Sequence, residues 1–239
     1  MKLEADRGGD GARLFVLLHG LGATREVWAP LAPLVQGRWI APDLRGHGAS
    51  PHAKNYGLGL HAADVAELVD ADDVVVIGHS MGGAVALALA SGWFGFMPRA
   101  VFALGIKVAW SQDDLAGMRK LAASAPKVFP TKDEAIARYL KVSGLHGLVT
   151  TDASGVAETD GGWRLAYDPA TASIGPPPMI ELTHAAAAPI HLARGESDPM
   201  VRLGELADHC TDACNLPGGH NAMVENPAAV WDWIASRLG

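Results

Sequence analysis

The chain has 239 residues, 49% of them hydrophobic and 19% charged, a balance that excludes disorder and supplies enough apolar mass for one large core without disulfide staples. Nineteen Lys and Arg against 26 Asp and Glu leave a formal charge of −7, which argues against nucleic acid and anionic membranes as partners. Cys210 and Cys214 are too few for a disulfide framework, the acidic start Met1-Lys2-Leu3-Glu4-Ala5-Asp6 is no signal peptide, and the longest apolar run, 84–97, is too short and Gly-broken to span a bilayer. A soluble cytoplasmic protein is expected, monomeric or homodimeric.

Short apolar runs that stop at glycine recur along the chain. Residues 13–18 stop before Gly20, 74–77 at Gly78, 100–104 at Gly105 and 189–193 before Gly195, and a shorter run, Trp39-Ile40-Ala41, ends at Pro42-Asp43. Such runs predict strands buried on both faces, as in a parallel sheet. Helical spacing fills the gaps: one apolar face over 60–69, apolar residues all round over 84–94, and Val230, Trp231, Ile234 and Leu238 after Pro227, which suits a first helical turn. Strands alternating with helices imply an α/β domain. Residues 107–188 break the rhythm. Ser111-Gln112-Asp113-Asp114 predicts a helix start, and Thr131 with Glu134 a capping box for a helix ending near Val142 and Gly144. A Gly/Thr-rich stretch and Gly175-Pro176-Pro177-Pro178 follow, so this segment is expected to be a mostly helical insertion closed by a stiff proline linker.

Gly78-His79-Ser80-Met81-Gly82-Gly83 lies between a predicted strand and a predicted apolar helix, the context of a nucleophile elbow. The tight turn raises the Ser80 hydroxyl above the sheet at a helix N-terminus, where free N–H groups stabilise negative charge. With His19-Gly20-Leu21-Gly22 after the first strong strand, Asp43-Leu44-Arg45-Gly46-His47-Gly48 after the next, Gly195-Glu196-Ser197-Asp198, and Gly218-Gly219-His220 before the last helix, the chain resembles the α/β-hydrolase superfamily over nearly its whole length.

The resemblance implies a mostly parallel sheet of about seven to eight strands flanked by helices, with residues 1–106 and 189–239 as the core and 107–188 as a helical cap. Family members usually carry two strands before the His-Gly motif strand. Only residues 1–12 precede it here, so one edge strand is expected to be missing, leaving about seven. Ser80 is the implied nucleophile, His220 its base and Asp198 the acid that fixes the histidine tautomer. Glu196 is the competing acid but points the other way in an extended chain. The backbone N–H groups of Leu21 and Met81 are the implied oxyanion donors. No metal or cofactor is needed.

Other polar residues carry blander readings. His19, His79 and His47 are expected to hold loops, Asp43 to brace its turn, Lys107 to form a salt bridge near the site's mouth, and the two thiols to be inert. His146 reads as packing or surface; His61, His184, His191 and His209 carry no signal. Gly20–Arg25 followed by Asp43 imitates a dinucleotide fingerprint, but Arg25 stands where the third small residue belongs. The insertion supplies candidate pocket residues Trp110, Met118, Phe129, Tyr139, Leu145 and Leu148, and Trp28 is another; each is equally of a type that packs cap to core. An apolar cap favours a small or medium hydrophobic carboxylic ester. C–C bond (meta-cleavage-type) hydrolysis, helped by Arg119, Arg138 or Arg164, lactone or thioester hydrolysis and cofactor-free perhydrolysis use the same constellation. A non-catalytic small-molecule receptor is the alternative outside enzymes.

Overall fold

A computed structural model describes residues 1–149 and 153–239; residues 150–152, inside the Gly/Thr-rich stretch, lie outside the described residues. The first strands are β1 (Ala5–Gly8), β2 (Leu14–Leu18), β3 (Arg38–Pro42), β4 (Val74–His79) and β5 (Ala100–Leu104). The insertion carries β6 (Val128–Phe129), β7 (Val156–Thr159) and β8 (Gly162–Leu165), and β9 (Ile190–Gly195) and β10 (Cys214–Leu216) follow it. The main sheet has seven strands in the order β1-β3-β2-β4-β5-β9-β10, all parallel except β1, which runs antiparallel to β3. The helices are α1 (Leu58–Ala66), α2 (Met81–Leu89), α3 (Gln112–Ala122), α4 (Lys132–Val142), α5 (Met179–Ala185), α6 (Leu203–Ala207), α7 (Ala222–Glu225) and α8 (Pro227–Ala235). Among the described residues no helix is long and apolar enough to cross a membrane.

Every residue of β2, β4 and β5 is buried, and successive side chains serve opposite faces. Phe15, Leu17, Val75, Ile77, Phe102 and Leu104 join Trp231, Trp233 and Ile234 of α8 in one core layer. Leu14, Val16, Leu18, Val74, Val76, Val101 and Ala103 join Val65 of α1 and Val85 and Leu87 of α2 in the other. Each buried Val, Leu, Ile or Phe side chain among these gains roughly 1.5–3 kcal/mol, so this two-sided pattern anchors the strand tips that carry the site. All nine residues of α2 are buried. The helix of residues 84–94 expected from sequence is thus α2, beginning earlier at Met81 and ending at Leu89.

The insertion carries α3, α4 and α5, as the mostly helical expectation has it, and in addition a small sheet that was not expected. β6, β8 and β7 form a second, antiparallel sheet in that order. Its strands have two to four residues, too few to show a period. The two-residue Asp160-Gly161 loop between β7 and β8 was the hairpin signal available in the sequence. The reciprocal capping box forms at Ser111 and Asp114, whereas at α4 the recorded cap bond is Thr131 Oγ1 accepting the Glu134 N–H at 3.3 Å. The chain rejoins the core before residue 189: α5 packs on α2, and the Ala187 and Ala188 N–H groups donate to Ala90 O at 2.9 and 3.0 Å.

Candidate active site

Ser80 sits at the junction of β4 and α2 with φ 51° and ψ −117°, the one non-glycine residue with positive φ among the described residues. A conformation of that kind costs on the order of 1–3 kcal/mol and persists only where neighbours over-determine it. They do so here. The Ser80 N–H donates to Leu104 O on β5 at 2.8 Å, and its carbonyl accepts the Gly83 and Ala84 N–H groups. A Cβ on Gly78 would lie 2.2 Å from Gly82 O, and one on Gly82 would lie 2.3 Å from Leu18 O. The turn closes only because both positions lack side chains.

Two buried histidines shape the loop beside Ser80. His19 Nε2 accepts the Leu44 N–H at 2.9 Å, so its proton is on Nδ1, which donates to Gly20 O at 2.8 Å. His47 repeats the arrangement, with Nε2 accepting the Gly22 N–H at 3.1 Å and Nδ1–H donating to Arg45 O. Burial keeps both rings neutral by lowering their pKa below the usual 6.5. Asp43, fully buried, accepts the Arg25 and Ala49 N–H groups and pairs with the Arg25 guanidinium. The Leu21 and Met81 N–H groups donate to no recorded hydrogen bond among the described residues, and both residues line the cavity at Ser80.

His220 lies on the loop after β10. Its Nδ1–H donates to Asp198 Oδ2 at 2.8 Å. Asp198 follows β9 and is buried, its Oδ1 accepting the Met200 N–H at 2.8 Å. Burial alone would raise the Asp198 carboxyl, but the His220 hydrogen bond and charge, the Met200 N–H and Arg194 together hold it below the usual carboxylate value. Glu196, the competing acid, is exposed. His79 bridges the two sides: its Nε2–H donates to His220 O at 2.9 Å, and the two rings meet edge to face at 4.6 Å. Desolvation holds His79 well below 6.5 and therefore neutral. Asn221 Nδ2 donates to the carbonyls of Ser143 and Gly144, tying the end of α4 to the histidine loop. No hydrogen bond joins Ser80 to His220 among the described residues.

A cavity of about 140 Å³ opens over Ser80. Its walls are Leu21, Leu58, Met81, Ala84, Ile106, Lys107, Trp110, Met118, the strap Ile174–Pro178, and Met200. Trp110 and Met118 are therefore where the sequence suggested. Trp28, Phe129, Tyr139, Leu145 and Leu148 are not among the lining residues, which corrects the expected pocket. Trp28, Phe129, Tyr139 and Leu145 are buried in the core layer on the α8 side, where the insertion packs on the domain, and Leu148 is exposed. Arg119, Arg138 and Arg164 do not line it either. Leu58, Ile106, the proline strap and Met200 were missed. The strap's apolar residues and the adjacency of Ile106 to a strand tip and of Met200 to Asp198 were the available signals.

Away from the cavity, Cys210 and Cys214 are free and half-buried. Burial and the neighbouring Asp212 push the Cys210 thiol up to about 11, and burial raises Cys214, so both are poor nucleophiles.

No curated protein matches the chain in sequence. Among solved structures, it resembles the thioesterase domain from the curacin biosynthetic pathway (22% identity, TM-score 0.76, covering 98% of this chain and 100% of that one). It also resembles E-2-(acetamidomethylene)succinate hydrolase (21%, 0.79, 98% and 94%) and a thermophilic esterase from Thermogutta terrifontis (21%, 0.73, 99% and 92%). At such identities the likeness is one of fold. A family model described as "Alpha/beta hydrolase family" matches residues 15–233, nearly the whole chain, and on that match the protein belongs to the alpha/beta hydrolase family.

Proposed function

We propose that the protein is a serine hydrolase that cleaves a small or medium hydrophobic carboxylic ester through an acyl-enzyme. The observation that carries this reading is the strained Ser80 on the floor of an apolar cavity, with a His220–Asp198 pair held at the neighbouring strand ends. With Nδ1–H committed to Asp198, His220 keeps Nε2 free to take the Ser80 proton. The alkoxide attacks the ester carbonyl, and the tetrahedral oxyanion is received by the Leu21 and Met81 N–H groups. Loss of one such donor costs roughly 3 kcal/mol of barrier. His220 returns the proton to the departing alcohol, and water, activated in the same way, releases the acid. Hydrogen bonds of this kind often tighten only with substrate bound, which accommodates the unmade Ser80–His220 bond. The lining favours an apolar acyl or aryl group, because among the described residues the polar side-chain groups on it are those of Ser80 and Lys107 and the Trp110 Nε1–H, which is already bonded to Lys107 O. The absence of Arg119, Arg138 and Arg164 from that lining weighs against an arginine-clamped C–C substrate.

The test is a panel of p-nitrophenyl esters, lactones and thioesters of graded acyl length, run with wild type and Ser80→Ala, together with fluorophosphonate labelling. Turnover of short neutral esters, labelling at Ser80, and a loss of about 10³-fold or more in kcat/KM on Ser80→Ala are expected. Turnover that survives the substitution sinks the assignment.

A further inference from the structure

Lys107 follows β5 by way of Gly105 and Ile106 and is the one charged side chain among the described residues lining the cavity. Its ammonium lies 2.6 Å from Asp114 Oδ1 and 5.3 Å over the ring of Trp110. Trp110 in turn donates its Nε1–H to Lys107 O at 2.8 Å. Asp114 is itself held by the start of α3, where its Oδ2 accepts the Ser111 N–H at 2.9 Å and hydroxyl at 2.8 Å. The pair therefore spans the boundary between a core strand and the first turn of the insertion's helix.

We propose that Asp114 is a specificity-determining positioning residue, which masks the charge of Lys107 so that the cavity admits neutral acyl groups and turns away those ending in a carboxylate. This rests on the hydrolase reading above. A carboxylate brought to Lys107 meets Asp114 within the same few ångströms, so attraction and repulsion largely cancel. It also gives up hydration against apolar walls with nothing to replace it. The mask is permanent at working pH: the Lys107 ion pair and the Ser111 hydrogen bonds hold the Asp114 carboxyl down to about 2. Remove the mask, and the same cavity holds an unpaired cation at its rim, a receptor for a distal carboxylate.

The experiment compares p-nitrophenyl butyrate with the mono-p-nitrophenyl ester of glutaric acid and reads the ratio of their kcat/KM values. Wild type favours the neutral ester. Asp114→Asn, which keeps a capping acceptor for Ser111, shifts the ratio toward the anionic ester by about fivefold to tenfold, chiefly in KM, and 0.5 M salt shrinks that shift. Lys107→Met moves the ratio the other way, and adding it to Asp114→Asn abolishes the shift. Ser111→Ala weakens the helix cap but leaves the ion pair, so it leaves the ratio within twofold. An Asp114→Asn ratio within twofold of wild type, or an equal shift from Ser111→Ala, overturns the proposal. A wild-type chain inert toward both esters overturns the hydrolase reading and this inference with it, whereas turnover with an unmoved ratio overturns this inference alone.

Discussion

Helices α2 and α3 each follow a strand of the main sheet and each contributes to the cavity, Met81 and Ala84 from one and Met118 from the other. They are built in opposite ways. All nine residues of α2 are buried, and its entry is fixed by a strained serine and two glycines with no room for a Cβ. None of the eleven residues of α3 is buried, and its entry is fixed by side-chain capping and one ion pair at the surface. The group proposed to do chemistry thus stands on the element whose movement would cost most, and the groups proposed to choose substrate stand on one that repacks cheaply. That division matches what each task tolerates: an attacking oxygen must be placed to within a fraction of an ångström, whereas a binding wall need only have the right shape and charge.

Acid should break the comparison first, and from the unexpected side. His19, His47, His61 and His79 are buried and neutral in the folded protein, with His61 lowered by desolvation to about 4. Unfolded, each takes a proton near 6.5, so below that pH the unfolded chain binds more protons and stability falls as pH falls toward the folded values. The loss is on the order of 1 kcal/mol per pH unit for each histidine. Thermal melts from pH 8 to pH 4 should show Tm steady above about 6.5 and dropping steeply beneath it, while the Lys107–Asp114 pair persists. A flat profile to pH 5 would mean these rings are not held neutral.

Two glycine substitutions sharpen the same contrast. Gly82→Ala puts a Cβ 2.3 Å from a backbone carbonyl and should cost about 3 kcal/mol or more, a fall in Tm of roughly 6–12 °C. Gly117→Ala on α3 meets nothing within 4 Å and should add up to about 1 kcal/mol of helix stability, with Tm unchanged or raised by a few degrees. Equal shifts from the two, measured by calorimetry, would remove the distinction between the helices.

Most of what fixes Ser80 was legible in the sequence. A glycine-flanked serine between two apolar runs is readable because only glycine fits where backbone meets backbone. The parallel sheet was readable because strands buried on both faces become unbroken apolar runs. β1 and β10 were not readable: they have four and three residues, and the exposed Asp6, Arg7 and Asn215 interrupt any pattern. The cavity wall was legible only in part, for a different reason. Tyr139 and Met118 are both large apolar residues on insertion helices, yet Tyr139 is buried against the core, with its hydroxyl 3.3 Å from Thr24 Oγ1, while Met118 faces the cavity. Residue type cannot separate packing from lining; which face of α4 or α3 meets the core is a tertiary outcome.

The His79 hydrogen bond to His220 O closes a loop of 141 residues, and the entire insertion lies within it. Part of the insertion is tied into that closure, through Asn221 to the Ser143 and Gly144 carbonyls and through Phe129, Tyr139 and Leu145 in the core, whereas added length in its exposed turns acts through loop entropy, which grows only logarithmically: doubling a flexible loop costs about 0.6 kcal/mol. The exposed parts of the insertion, α3 and the Asp160-Gly161 turn among them, are therefore where length can change at little thermodynamic expense, leaving Ser80 and His220 in register while the surface around the cavity is rebuilt.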